Sequence, residues 1–208
     1  MKYEWKKQEI DIYAPKEEPT IVDIKEANFI CIDGKGNPNN EDFQKRIEVL
    51  YTLSYAIRMS PRKGINIPGY FEYTVYPLEG FWDLTEKGRK SEVLLKDELV
   101  YTIMIKQPSF VTKEVFDSIL KTVKETKDNQ LLDEAYFKTI TEGLSVQIMH
   151  IGPYDDEKRS FDKMKEFLKT TKYEIKTLVH KEIYIGDPRK SSPEKLKTIL
   201  RYHIKEKE

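Results

Sequence analysis

One cysteine stands in 208 residues, so no disulfide closes within the chain and no metal site is built from thiolates. That residue, Cys31, sits in the apolar run from Phe29 to Ile32, where a buried, inert thiol is expected rather than a nucleophile. Charge of one sign is not in excess either, because 36 Lys and Arg balance 36 Asp and Glu with no basic block or charged tail. Nucleic acid is disfavoured as the main partner, since neutralising phosphates takes a clustered positive surplus. No apolar run approaches the roughly 18 residues needed to cross a membrane. Met1 to Lys7 is polar with no signal-peptide core, and the expected location is the cytoplasm. The chain also holds no phosphate-binding glycine loop, nucleophile elbow, HExxH pair or CxxC pair. No metal and no other cofactor is expected.

What is present is aromatic: 13 Tyr, 9 Phe and 2 Trp, residues that line both cores and pockets for flat ligands. The most informative stretch is Val179 to Asp187. Period-two alternation puts Val179, Ile183 and Ile185 on one strand face and His180, Glu182 and Tyr184 on the other, with Lys181 as the polar intruder on the apolar face. A carboxylate between an imidazole and a phenol either looks into water or sits in a pocket where its charge has a task. The pattern leaves both readings open. His150 and His180 fall in strands, where a satisfied structural histidine is the commoner role, and His203 has no constellation around it in the sequence.

The chain divides into a charged N-terminal surface segment, 1–20, and one α+β body, 21–208. Two βαββ units recur in it: repeat one spans about 27–107, a linker runs over 108–142, and repeat two spans about 143–204. In the first, strand 29–33 stops at the Gly34-Lys35-Gly36-Asn37-Pro38 loop; helix 42–59 and strands 70–76 and 99–106 follow. In the second, strand 144–150 and the Gly152-Pro153 turn lead to helix 157–170, strand 178–186 and strand 196–204. Asp155 and Asp156 suit the first turn of that helix, and 131–140 reads as a short helix or irregular connector. Neither three-stranded unit covers its own sheet. The expected architecture is therefore two pseudo-symmetric repeats forming an antiparallel sheet body, with helices on one face and a groove between repeats. In this register Glu79, set among Leu78, Phe81 and Trp82, mirrors Glu182.

His150-Ile151-Gly152-Pro153-Tyr154, followed by Glu182-Ile183-Tyr184-Ile185, resembles the GyrI-like small-molecule-binding family, whose fold is shared with effector-binding domains of multidrug-sensing regulators. Gly69-Tyr70-Phe71-Glu72-Tyr73, Pro77-Leu78-Glu79-Gly80-Phe81-Trp82, Asp187-Pro188-Arg189 and Pro193 to Thr198 are similar to its standalone branch. No helix-turn-helix precedes the body, so the regulator role of fused relatives is not expected here. The resemblance implies a groove for lipophilic, often cationic, aromatic compounds with an acid on its floor, falling on Glu182. It also implies a hydrolase reading, since some standalone relatives open the cyclopropane of alkylating natural products with a glutamate and a tyrosine. Tyr154, Tyr101 and Tyr184 are the candidate tyrosines, in that order.

Together these considerations name Glu182 and Tyr154 as catalytic candidates. The same two residues with Trp82, Glu79, Tyr101, Tyr184, Phe81, Tyr55 and His150 are the ligand-binding candidates. Three classes stay open: a metal-independent cyclopropyl hydrolase, a non-catalytic sequestering or sensing protein, and an interaction protein that shields an enzyme such as DNA gyrase. The last would call for an acidic surface, which the charge balance does not supply.

Overall fold

The computed structural model describes residues 2–187 and 190–207; Pro188 and Arg189 of the Asp187-Pro188-Arg189 motif lie outside the described residues. Among the described residues six helices and eight strands make an α+β pattern. In chain order they are α1 (Trp5–Gln8), α2 (Ile10–Tyr13), β1 (Thr20–Ile24), β2 (Ala27–Lys35), α3 (Glu41–Arg58), β3 (Leu78–Leu84), α4 (Glu86–Arg89) and β4 (Leu99–Gln107). Then come α5 (Lys113–Lys124), β5 (Tyr136–Ile140), β6 (Gly143–Ile151), α6 (Lys158–Lys169), β7 (Tyr173–Tyr184) and β8 (Lys197–Glu206). The chain forms two compact units: the first holds the residues up to Glu4, Ala27–Leu78 and Asp83–Ile140, and the second holds Trp5–Glu26, Glu79–Trp82 and the chain from Thr141 on.

In the first unit β2 is central, antiparallel to β4 through pairs such as Ile30–Ile105 and to β5 through Ile30–Phe137. Val49, Leu50, Leu53 and Ile57, at helical spacing on α3, are buried, as are Phe116, Ile119 and Val123 of α5. Thr112 caps α5, its hydroxyl accepting from the Val115 amide. Two expectations are corrected. Residues 131–140 hold a short 3-10 turn, Gln130–Asp133, and then β5. The alternation over 70–76 is not a strand; only Tyr73 makes a single bridge, to Tyr3. Its rings pack on Phe110 instead, with Tyr70 and Phe71 centroids each 5.2 Å from that ring. Backbone groups there are met by Arg58, whose Nε donates to the Tyr73 carbonyl at 2.5 Å, and by Tyr3. A period-two pattern therefore arose from ring packing, and the strand begins only after Pro77.

In the second unit the strands run β1-β6-β8-β7-β3, each antiparallel to the next. The order β6-α6-β7-β8 follows the expected βαββ sequence of elements. Helix α6 lays Met164 and Leu168 on Val146, Ile148, Leu200, Tyr202 and Ile204, each fully buried aliphatic side chain contributing about 1.5–3 kcal/mol. Gly152 turns the chain between β6 and α6 at φ 142°, a conformation that favours glycine.

Strand β7 carries a bulge. Ile175 pairs with Ile204, yet His180 pairs with Tyr202, so five residues of β7 span two of β8. The odd offset re-phases the strand. Directly paired residues share a face, so His180 opposite Tyr202 and Glu182 opposite Leu200 point to the side where α6 packs. The Glu182 face was expected to be the one without helices; the bulge places it on the helix side.

The segment expected on the surface up to residue 20 is anchored: Trp5 and Tyr13 are buried, with ring centroids 5.0 Å apart.

Candidate functional site

Glu182 stands near the end of β7 with a side chain 13% exposed, so it is not a carboxylate on a solvated face. Its Oε2 accepts from the Tyr184 hydroxyl at 2.7 Å and its Oε1 lies 3.0 Å from His180 Nε2. Tyr184 in turn accepts from the indole N–H of Trp82 at 2.9 Å. An indole nitrogen can only donate, which fixes the direction of this chain: the Tyr184 proton must point at Glu182. Burial, then the charge of Glu182 and its hydrogen bond, push the Tyr184 hydroxyl well above the usual phenol range.

The turn before α6 adds further groups. Tyr154 and Glu157 are three residues apart around the short turn Tyr154–Asp156, a spacing at which side chains stack on one side. The Tyr154 ring meets Tyr184 edge-on at 5.9 Å while staying 40% exposed, and burial with the nearby charges of Glu157, Glu182 and Asp187 pushes its hydroxyl up to about 12. Glu157 is buried, and its Oε1 has no hydrogen-bond partner. Burial first, then the Glu182 charge, raise it well above the usual carboxylate range. Phe161 of α6 closes the other side, 4.8 Å from the His180 ring. Asp155 and Asp156 were expected in the first turn of the helix; they lie in the 3-10 turn Tyr154–Asp156 ahead of α6, whose own first turn holds no acid.

His150 is nearby but committed. Its Nε2 lies 3.1 Å from the Pro153 carbonyl, which can only accept, so Nε2 carries the proton and Nδ1 accepts from the Ser160 hydroxyl at 2.9 Å. Burial lowers its pKa. It braces the Gly152-Pro153 turn as a neutral structural histidine.

The opposite face of the same strands holds a second polar group. Gly80, not Glu79, lies opposite Glu182; Glu79 pairs with Ile183 and Phe81 with Lys181. Glu79 and Phe81 are thus on the far side of the sheet from Glu182, because neighbours along a strand alternate faces. There Lys181 Nζ reaches Glu79 at 2.6 Å and Glu142 at 2.5 Å, and Arg201 reaches Glu142 at 3.1 Å. Arg201 also donates to Gln147 at 2.8 Å, and Tyr13 donates to Glu79 at 2.9 Å. Burial alone would raise the Glu142 carboxyl, but Lys181 and Arg201 hold it well below the usual range. His203 does have a constellation, with Glu142 3.8 Å away and the Phe81 ring centroid at 5.8 Å. This network is matched in charge, two cations to two carboxylates.

Tyr101 and Tyr55 belong to the first unit. The Tyr101 ring is buried edge-on to Phe43 at 5.0 Å and lies over Gly34, where an added Cβ would come within 2.3 Å of it. Tyr55 is 53% exposed on α3, 6.3 Å from Tyr51, beside an open depression that also involves Met59 and Lys127. Of the sequence candidates, Glu182, Tyr184, Trp82 and Tyr154 are brought together. Sequence reasoning passed over Glu157, Phe161 and the contact of His180; the three-residue step from Tyr154 to Glu157 was the available signal for the first. Among the described residues no cluster of His, Cys, Asp and Glu is arranged to hold a metal ion.

A family model for the GyrI-like small molecule binding domain matches residues 17–203. The chain belongs to that family. Solved structures similar to this GyrI-like chain include an uncharacterized conserved protein from Listeria innocua, 36% identical with a TM-score of 0.92, the match covering 98% of this chain and 100% of that one. A hydrolase from Listeria innocua is 35% identical with a TM-score of 0.88 over 98% and 100% of the two chains. The C-terminal domain of EcmrR shares the fold at 14% identity and a TM-score of 0.52, over 91% of this chain and 98% of that domain. No curated protein matches the chain. Membership makes this a small-molecule-binding domain, and no helix described is long and apolar enough to cross a membrane.

Proposed function

We propose that the chain takes up lipophilic aromatic compounds, cations in particular, at Glu182. The observation that carries this is the directed chain Trp82 to Tyr184 to Glu182. Donors aimed at one carboxylate favour its anion, while Tyr154 and Trp82 meet its partner Tyr184 and Phe161 meets its partner His180, bringing ring surface to the site. A desolvated cation gains both the charge and ring-face attraction, the latter about 0.5–2 kcal/mol per contact. Tyr154, the partly exposed member, is the side chain whose movement would admit a ligand.

A hydrolytic reading is favoured by the 35% identity to a hydrolase over nearly the whole chain. The reaction that fits the chemistry is water opening a cyclopropane conjugated to a dienone. Oxygen bonds to a ring carbon, one ring C–C bond breaks, and its electron pair moves into the conjugated system onto the carbonyl oxygen. Glu182 accepts the proton of the water, and a tyrosine donates to that oxygen. Tyr154 suits the donor role better than Tyr184, whose proton is already directed to Glu182.

Glu182→Gln tests both. With berberine as a planar aromatic cation, the variant should bind at least tenfold more weakly by calorimetry. With a cyclopropane-bearing alkylator, formation of the water-added product by mass spectrometry should fall about a hundredfold, as loss of a general base does. Unchanged binding and unchanged turnover would refute the assignment of this strand.

A further inference from the structure

Glu157 stands between the turn Tyr154–Asp156 and α6, within reach of the Glu182 charge. Its side chain is buried, only 7% of the residue being exposed, and its Oε1 has no hydrogen-bond partner. Among the described residues no lysine or arginine pairs with it. Two buried acids side by side offer only acceptors when both are ionised, and a proton on one of them removes the repulsion and supplies the missing donor. The neighbours decide which. Glu182 already receives the Tyr184 proton and the His180 contact, which stabilise an anion. Glu157 has a bare oxygen in an enclosed setting, tolerable for the carbonyl of a neutral acid and costly for a carboxylate.

We propose that Glu157 and Glu182 share one proton as an acid and carboxylate pair, and that a cation bound at Glu182 displaces that proton. The second clause rests on the cation-binding reading above; the first does not. The groups facing Glu157 are Glu182 and Tyr184 from β7 and Tyr154 and Asp155 from its own turn, with His180 bonded to Glu182 and His150 and Arg159 beyond. Asp155 adds to the negative surroundings, and neutral His150, bonded to Pro153 and Ser160, supplies no charge. A site with one negative charge at rest gains a second as the ligand brings a positive one, so the total is conserved. Monocations fit this exchange, and the ligand's own chemistry sets the charge state of the pocket.

Linkage gives the size. Releasing one proton on binding makes the affinity rise about tenfold per pH unit below the Glu157 pKa and level off above it. The experiment has a ligand-free arm and a ligand arm. In the free protein at pH 7, infrared spectra should show the carbonyl band of a protonated carboxyl, and Glu157→Gln should remove it. Berberine titrated calorimetrically in two buffers of different ionisation heat should release about one proton from the parent protein and none from Glu157→Gln, whose amide can still donate to Glu182. Glu182→Gln offers a second check, since it removes the anion that holds the proton and should shrink the release. Absence of the band overturns the shared proton. A band with binding but no proton release overturns the coupling. If berberine fails to bind at any pH, the cation reading and the coupling fall together, and the band alone upholds or removes the carboxyl pair.

Discussion

Replacing Lys181 with methionine isolates the buried charge network from every other feature of the second unit. The ammonium is fully enclosed, bridging Glu79 at 2.6 Å and Glu142 at 2.5 Å, while methionine keeps nearly the same unbranched apolar volume, so no large cavity confuses the result. Glu142 retains Arg201, but Glu79 is left with the Tyr13 hydroxyl. Removing one partner of a buried pair costs about 3–5 kcal/mol, since the carboxylate left behind lacks its counter-charge. For a chain of this length that is about 6–20 °C in Tm. The effect depends on pH in a defined sense. Burial opposes ionisation of Glu142, yet Lys181 and Arg201 hold its carboxyl well below the usual range, so its stabilising contribution is present above the unfolded value of about 4.3 and is lost as pH falls toward the folded one. Without Lys181 that contribution is smaller. The gap between parent and variant should therefore be widest at pH 7 and narrow below about pH 4.3. Urea unfolding at pH 7, 5 and 4 measures it. A difference under about 1 kcal/mol at pH 7, within the range of exposed pairs, or one that does not narrow in acid, would refute the account.

Three further substitutions probe single links. Tyr13→Phe removes the hydroxyl that donates to buried Glu79 and should cost about 1–3 kcal/mol in urea unfolding; full stability would show that the N-terminal segment does not serve the network. Gly152→Ala places a side chain at φ 142° and a Cβ 2.8 Å from Arg159 Nη2, for an expected loss of about 1–3 kcal/mol read from the thermal midpoint. Trp82→Phe takes away the donor to Tyr184. It should weaken berberine binding several-fold with little change in fold by circular dichroism, and unchanged affinity would remove Trp82 from the site.

Local patterning settled much of this protein. The helices that became α3 and α6 and the Gly152 turn were legible because each is decided by neighbours within a few residues. So was the alternation around Glu182, with Lys181 correctly set against it beside Ile183. Family membership was legible as well, since ordered short motifs survive where overall similarity is modest. The failures share another cause. Residues 70–76 alternate like a strand, but Phe110, distant in sequence, takes their rings and no ladder forms.

The faces of β7 and β3 depended on longer-range facts still. A bulge between Ile175 and His180 turned the Glu182 face toward α6, and the register of Gly80 against Glu182 sent Glu79 and Phe81 to the other side. Period two tells which residues share a face, never which face a partner strand will offer. Glu157 is the sharpest case: in sequence it is the third acid of a run, and only the packing of the turn against β7 makes it the buried neighbour of Glu182. Sequence determined which side chains stand together along one strand, because that is fixed by backbone geometry. Tertiary structure alone decided which of them meet across strands, because register, bulges and burial are set by contacts far apart in the chain.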